Sequence, residues 1–200
     1  MKCRVSMSER VLAALAALVL LPLGIWIACA ILLEDGGPVF FVQQRVGLKG
    51  ALFPLFKFRS MKSPSSQLSQ MQITVQGDPR ITRIGHLLRQ SKLDELPQLL
   101  NIIRGEMSWV GPRPELLCYV AHYSPQELKV LEYPPGLTDP ASIVFRHESR
   151  LLARSKDPEK TYIEHFRPRK IRLNLMYGMH RNALRDCCVI VATAVSLLRS

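Results

Sequence analysis

The chain opens on its longest apolar run. From Val11 to Leu33 the sequence VLAALAALVLLPLGIWIACAILL carries no charged residue. As one straight helix it would be about 35 Å long, enough for a bilayer core of about 30 Å. Pro22 lies near its middle, where it removes a helix hydrogen bond and clashes with the preceding turn, and Gly24 follows two residues later. The pattern therefore predicts a helix broken at Pro22. Beyond Glu34 the apolar runs shorten. Val39–Val42 and ALFPLFKFRSM (51–61) read as two extended pieces, the second interrupted by Pro54, with a turn around Gly47 to Gly50 between them. KSPSSQLSQ (62–70) reads as a loop. Ile81, Ile84, Leu87 and Leu88 then recur at helical spacing, with Asp78 as the expected N-cap and Pro79 at the first helical position. Pro97 fits a helix only in its first turn, so another helix is expected to start beside Asp94-Glu95 and to stop at Gly105. Ser124, Pro125 and Glu127 have the spacing of a capping box. The last apolar stretch, Cys187–Leu198, is too short to span a bilayer.

Charge narrows the partners. Lys and Arg number 27 against 16 Asp and Glu, a net charge of +11, which favours nucleic acid, lipid head groups or phosphorylated substrates. Lys2, Arg4 and Arg10 precede the apolar run, and the chain after it stays basic. Positive charge prefers the cytoplasmic side of a membrane. A helix that breaks at Pro22 and returns to the same face satisfies both flanks; a kinked helix that crosses is the rival, and a cleaved signal peptide ending near Ala28-Cys29-Ala30 is a third reading. The five cysteines are odd in number and include no C-x-x-C, so a reduced, cytosol-facing compartment fits better than a disulfide framework. No metal-ligand spacing occurs among the five histidines.

The candidate chemistry sits in KLDELPQLLNIIRGEMSWVGPRPE, Lys92 to Glu115. Acids at a helix start are ordinary, because they cap free amides and favour the dipole. Here two adjacent acids, Asp94 and Glu95, have Lys57, Arg59, Arg89 and Arg113 around them in sequence, and a helix start is also a ready anion site. The pair suits phosphate chemistry with a bound divalent metal. Pro112 and Pro114 stiffen the turn that presents Arg113, which lowers the entropy cost of clamping an anion. A membrane-anchored nucleic-acid-binding protein remains the alternative class, but no binding motif for DNA or RNA is present and the two acids would repel phosphates without metal.

These residues resemble the monotopic phosphoglycosyl transferases, bacterial sugar transferases that act on a polyprenyl phosphate carrier. The resemblance runs from the Pro-broken segment through GGPVFFVQQRVG, FKFRSM, GDPRITRIGHLLR and LDELPQLLNIIRGEMSWVGPRPE to PPGLTDPASIVFRHES. It implies an α+β, mostly helical fold: a re-entrant membrane helix over 1–33 with its kink at Pro22, and a compact cytosolic domain over 34–200 with amphipathic interfacial helices and a few short strands. It implies transfer of a sugar 1-phosphate from a UDP-sugar to undecaprenyl phosphate with release of UMP. Asp94 corresponds to the nucleophile that forms a covalent phosphosugar intermediate, and Glu95 to its catalytic partner. Both are expected to hold the Mg²⁺ cofactor, with Arg113, Arg89, Lys57 and Arg59 as phosphate contacts. The implied setting is the bacterial inner membrane with the catalytic domain cytoplasmic; a homodimer is a potential assembly, and an inactive scaffold of the same family is the other outcome. Two departures stand out. Leu21 replaces the serine that often precedes the kink proline, and LTDPASIVFRHES (137–149) differs from the better-known sugar-region pattern, leaving the sugar open and Arg146, His147 and Glu148 as candidate contacts.

Overall fold

The computed structural model describes residues 5–62 and 77–198. The Ser-rich stretch from 63 to 70, Lys2 and Arg4 lie outside the described residues. The apolar run folds as two helices, α1 (Met7–Val19) and α2 (Leu21–Asp35), bent by 60°. Pro22 occupies the first turn of α2, where a missing N–H is tolerated, and Leu20 leaves helical geometry at ψ 0. A capping box between Ser6 and Glu9 starts α1, and Gly36, at φ 70, ends α2. No single helix among the described residues is long and apolar enough to cross a membrane; only the two bent helices together reach that length and apolarity.

The chain then forms an antiparallel hairpin of β1 (Phe40–Val46) and β2 (Leu52–Phe58), with Phe40 opposite Phe58 and Val46 opposite Leu52. Pro54 lies inside β2, opposite Gln44, rather than interrupting it. A two-stranded ribbon leaves each strand an outer edge, where a residue without an N–H does no harm, and the Pro54 carbonyl accepts from Asn101 Nδ2 at 2.7 Å. Alternation along β2 puts Phe53, Leu55 and Lys57 on one face. Phe53 and Leu55 join Ala13 of α1, Met107, and Leu99 and Ile102 of α4 (Gln98–Arg104) in one core. Phe58 joins Ile27 and Ile31 of α2 and Leu88 of α3 (Arg83–Ser91) in a second. β2 is thus packed against both arms of the bent helix pair.

The start of α3 is a correction. Thr82 caps the helix by accepting from Gly85 N at 2.9 Å. Asp78 instead bonds Arg80, through the backbone N–H at 3.0 Å and the guanidinium, while Ile81 bridges to Met61 and Thr82 N donates to Ser60 O. Downstream, a parallel pair of β3 (Ser108–Val110) and β4 (Gly136–Thr138) is followed by short helical turns, then by the helices Arg167–Met179 and Ala183–Leu198. The capping box at Ser124 and Glu127 forms as its spacing predicts. The last helix leaves Leu184, Val191 and Val195 exposed. The whole is α+β and mostly helical, as expected.

Candidate active site

A 3₁₀ turn at Leu93–Glu95 leads through helical Leu96 and Pro97 into α4, so Asp94 and Glu95 occupy a helix entry, as Pro97 predicted. Neither is exposed: Asp94 retains 5% and Glu95 7% of its surface. Lys57, at the end of the apolar row on β2, reaches both, with Nζ 2.8 Å from Glu95 Oε1 and 3.8 Å from Asp94 Oδ2. Arg113 closes on Glu95 from the other side, Nη2 bonding Oε1 and Nη1 lying 3.3 Å from Oε2. Glu95 is therefore held by two cations. Asp94 is not: its Oδ1 is buried with no hydrogen-bond partner among the described residues.

The electrostatics separate the two acids. Burial pushes the Asp94 carboxyl up; Lys57 opposes this and the adjacent Glu95 carboxylate reinforces it. Burial would also raise Glu95, but Arg113 and Lys57 outweigh it and hold that carboxyl well below the usual range. Burial lowers the Lys57 ammonium against the pull of Glu95. The Glu95 carboxylate raises Arg113 in turn. One acid is a fixed anion, and the other keeps a carboxylate oxygen free of competing bonds.

The Pro112–Pro114 turn is held from several directions. Gly136 N donates to Pro112 O at 3.0 Å and Gly111 N to Thr138 O at 3.0 Å, so the end of the parallel strand pair fixes its base. Arg45 Nη1 reaches Pro114 O at 3.4 Å and Glu115 Oε1 at 3.5 Å, and Tyr162 donates its phenol to Glu115 Oε2. Burial and the Glu115 carboxylate push that phenol far above the ordinary tyrosine range. Sequence spacing gave no sign of Arg45, Glu115 and Tyr162 meeting, because they come from three distant segments.

The other expected contacts divide. Arg89 bonds Ser60 Oγ at 3.4 Å and acts on Asp94 through its charge. Arg59 is turned away: it pairs with Asp35 at 3.0 Å and donates to Gly37 O at 2.5 Å, tying β2 to the end of α2. Arg146 Nε donates to His147 Nε2 at 3.0 Å, and Glu148 pairs with Lys170 at 2.8 Å. Lys92 sits exposed at φ 59 just before the acids, and its charge opposes the rise of Asp94 and adds to the lowering of Glu95.

The fold and site define one class of protein: a small α+β body carrying an N-terminal apolar helix pair, with an acid pair caged by Lys57 and Arg113 at a helix entry. The chain belongs to the bacterial sugar transferase family, whose family model matches residues 3–200. It is 36% identical over 200 residues to a UDP-glucose:undecaprenyl-phosphate glucose-1-phosphate transferase of Xanthomonas campestris pv. campestris, covering 96% of this chain and 38% of that protein. A protein of the same description from Caulobacter vibrioides is 42% identical over 148 residues, 70% of this chain and 54% of its own length. A UDP-N-acetylgalactosamine-undecaprenyl-phosphate N-acetylgalactosaminephosphotransferase of Aeromonas hydrophila is 38% identical over 159 residues, 76% of this chain and 36% of its own length. The chain thus spans between about a third and a half of these relatives.

Proposed function

We propose that this chain is a phosphoglycosyl transferase that moves a sugar 1-phosphate from a UDP-sugar to undecaprenyl phosphate. The observation that carries the reading is the contrast within the acid pair: Glu95 clamped by Lys57 and Arg113, and Asp94 with a buried oxygen left unbonded. An aspartate attacks phosphorus as its carboxylate and needs no separate base; the Lys57 charge opposes the upward push of burial on Asp94. An Asp94 oxygen bonds the sugar-bearing phosphorus as the bond from that phosphorus to the bridging oxygen breaks; UMP leaves with the electron pair. A phosphate oxygen of the lipid then attacks the same phosphorus, forms the diphosphate and returns Asp94 as a carboxylate. The sugar–oxygen bond is untouched in both steps. Arg113 and Lys57 neutralise charge on the donor phosphates. The names of the relatives support the donor and acceptor classes but differ in sugar, so the sugar is left as a UDP-sugar.

Mg²⁺ fits the donor set. It commonly takes one or two protein carboxylates and completes its shell with substrate phosphates and water. Asp94 would hold it directly, and Glu95, whose oxygens Lys57 and Arg113 bond, would join by releasing one of those cations; no cluster of three or more acidic, His or Cys side chains suited to metal occurs among the described residues. When bound it would offset the charge of the diphosphate. The bent α1–α2 pair supports a membrane seat at the cytoplasmic face, beside a lipid acceptor.

The test is UMP release with undecaprenyl phosphate, Mg²⁺ and a panel of UDP-sugars. Asp94→Asn is expected to abolish turnover while leaving accumulation and membrane association intact, and labelled sugar phosphate is expected on Asp94 when acceptor is withheld. Full turnover by Asp94→Asn would remove it as nucleophile.

A further inference from the structure

Helix α4 carries two buried carboxamides that are treated differently. Asn101 is fully buried and bonded at both ends: Nδ2 donates to Pro54 O and Glu106 Oε2, each at 2.7 Å, and Oδ1 accepts from Phe56 N at 3.2 Å. Gln98 is 2% exposed, yet its Nε2 has no partner among the described residues. Leaving a buried donor unbonded is destabilising, so its retention needs a reason.

Its position supplies one. Leu96 (φ −51, ψ −39) and Pro97 (φ −62, ψ −14) are helical, so the path from Leu93 into α4 is unbroken. Side chains four apart lie on the same helix face and lean toward the helix start. The backbone bonds through this entry run three residues apart (Glu95 N to Lys92 O, Leu96 N to Leu93 O, Leu99 N to Leu96 O), so Gln98, three residues after Glu95, follows it on the same side of the turn. A buried unbonded donor and a buried unbonded acceptor, Asp94 Oδ1, are therefore carried by the same short helix entry. A group that bonds the carboxylate and also presents acceptor oxygens would complete both. A phosphoryl group does this.

We propose that Gln98 is a catalytic residue whose Nε2 donates a hydrogen bond to a non-bridging phosphoryl oxygen as that group passes to and from Asp94. The inference rests on the phosphotransfer reading above. It explains why Nε2 is buried but unbonded in the free protein: its acceptor arrives with the substrate.

Stability and turnover separate this role from a structural one. Gln98→Met keeps length and removes the polar atoms. Because Nε2 bonds nothing among the described residues, its loss is expected to leave the thermal midpoint in detergent level or to raise it. kcat for UMP release is expected to fall about 100-fold, the effect of losing one donor to a developing oxyanion, with KM for the UDP-sugar changed less than threefold. Gln98→Leu gives the same two readouts should methionine pack badly. kcat within threefold of wild type, or activity lost together with a midpoint drop beyond about 4 °C in both variants, overturns the proposal. So does failure of both to fold, which would make the side chain a structural one. Wild-type protein inert toward every UDP-sugar overturns the phosphotransfer reading and this inference with it. Active wild type with unimpaired Gln98→Met overturns the inference alone.

Discussion

Glu95 bonds Arg113 through both carboxylate oxygens and Lys57 through one, which makes its charge a structural asset as well as a chemical one. Glu95→Gln keeps the shape and strands both cations. The loss is expected at about 1–3 kcal/mol, toward the low end because the Arg113 side chain is 38% exposed and water shields it. In a chain of this size that is a midpoint drop of about 2–10 °C. The sign with pH follows from the lowered Glu95 carboxyl. Its stabilisation is complete above the unfolded value of about 4.5 and fades as pH falls toward the lower folded value. The gap between wild type and Glu95→Gln is therefore expected to be full at pH 7 and smaller at pH 4; an equal gap at both would show that the charge is not what is lost. Asp94, Glu95, Lys57 and Arg113 were legible as a group because each carries a type suited to phosphate. Arg59 misled because it has the same parity as Lys57. β2 ends at Phe58, and the chain beyond turns the guanidinium to Asp35. Gln98 was legible in principle, from its three-residue offset to Glu95, but an amide inside an apolar helix gives no signal until its missing partner is seen.

Elements were legible where a single residue forbids the alternatives. Pro22 could not sit inside a straight helix and Pro97 could only begin one, and both boundaries fell where those rules put them. The start of α3 was not legible, because it depends on pairing with a distant segment, Met61 to Ile81 and Ser60 to Thr82, that local spacing does not encode. The parallel pair β3–β4 is a similar case, and it exposes a tight requirement. A Cβ on Gly136 would lie 2.1 Å from Gly111 N and 2.5 Å from Gly111 O, both backbone. The two glycines let the strands touch just before the turn that aims Arg113. Gly136→Ala is expected to force the strands apart, costing about 1–3 kcal/mol, and to lower UMP release more than that loss alone explains, because Arg113 moves with the turn. Gly24→Ala is the control, since its Cβ would meet nothing nearer than 3.9 Å. Comparable midpoints for the two variants would show that the β3–β4 junction tolerates the extra carbon.

At the scale of the whole molecule, the bent pair has both outer ends tied to one folded body. At the start of α1, Trp109 Nε1 donates to Glu9 O at 3.1 Å, Ser108 Oγ and Arg181 bond the Glu9 carboxylate, and Arg10 Nε donates to Ile103 O at 2.7 Å. At the end of α2, Arg59 pairs with Asp35, and Glu34 accepts from Arg83 N at 2.7 Å and Ile84 N at 2.9 Å. Between these anchors the bend exposes Leu18, Val19, Leu21 and Ile25. Helices of 13 and 15 residues are about 20 and 22 Å long. With a 60° bend their junction rises about 10 Å above the line joining their outer ends, a third of a bilayer core of about 30 Å. Seated in a membrane, such a wedge would reach into one leaflet, and straightening it to cross would break one set of anchors. Single cysteines in a chain freed of its native ones give the measurement. Ser8→Cys and Lys49→Cys are expected to react with a membrane-impermeant maleimide from the same, cytoplasmic side, in inverted vesicles only, while Leu18→Cys resists the reagent from both sides. Ser8→Cys and Lys49→Cys reacting from opposite sides would mean that the pair crosses the membrane, and that the ties at Glu9 and Asp35 do not both hold there.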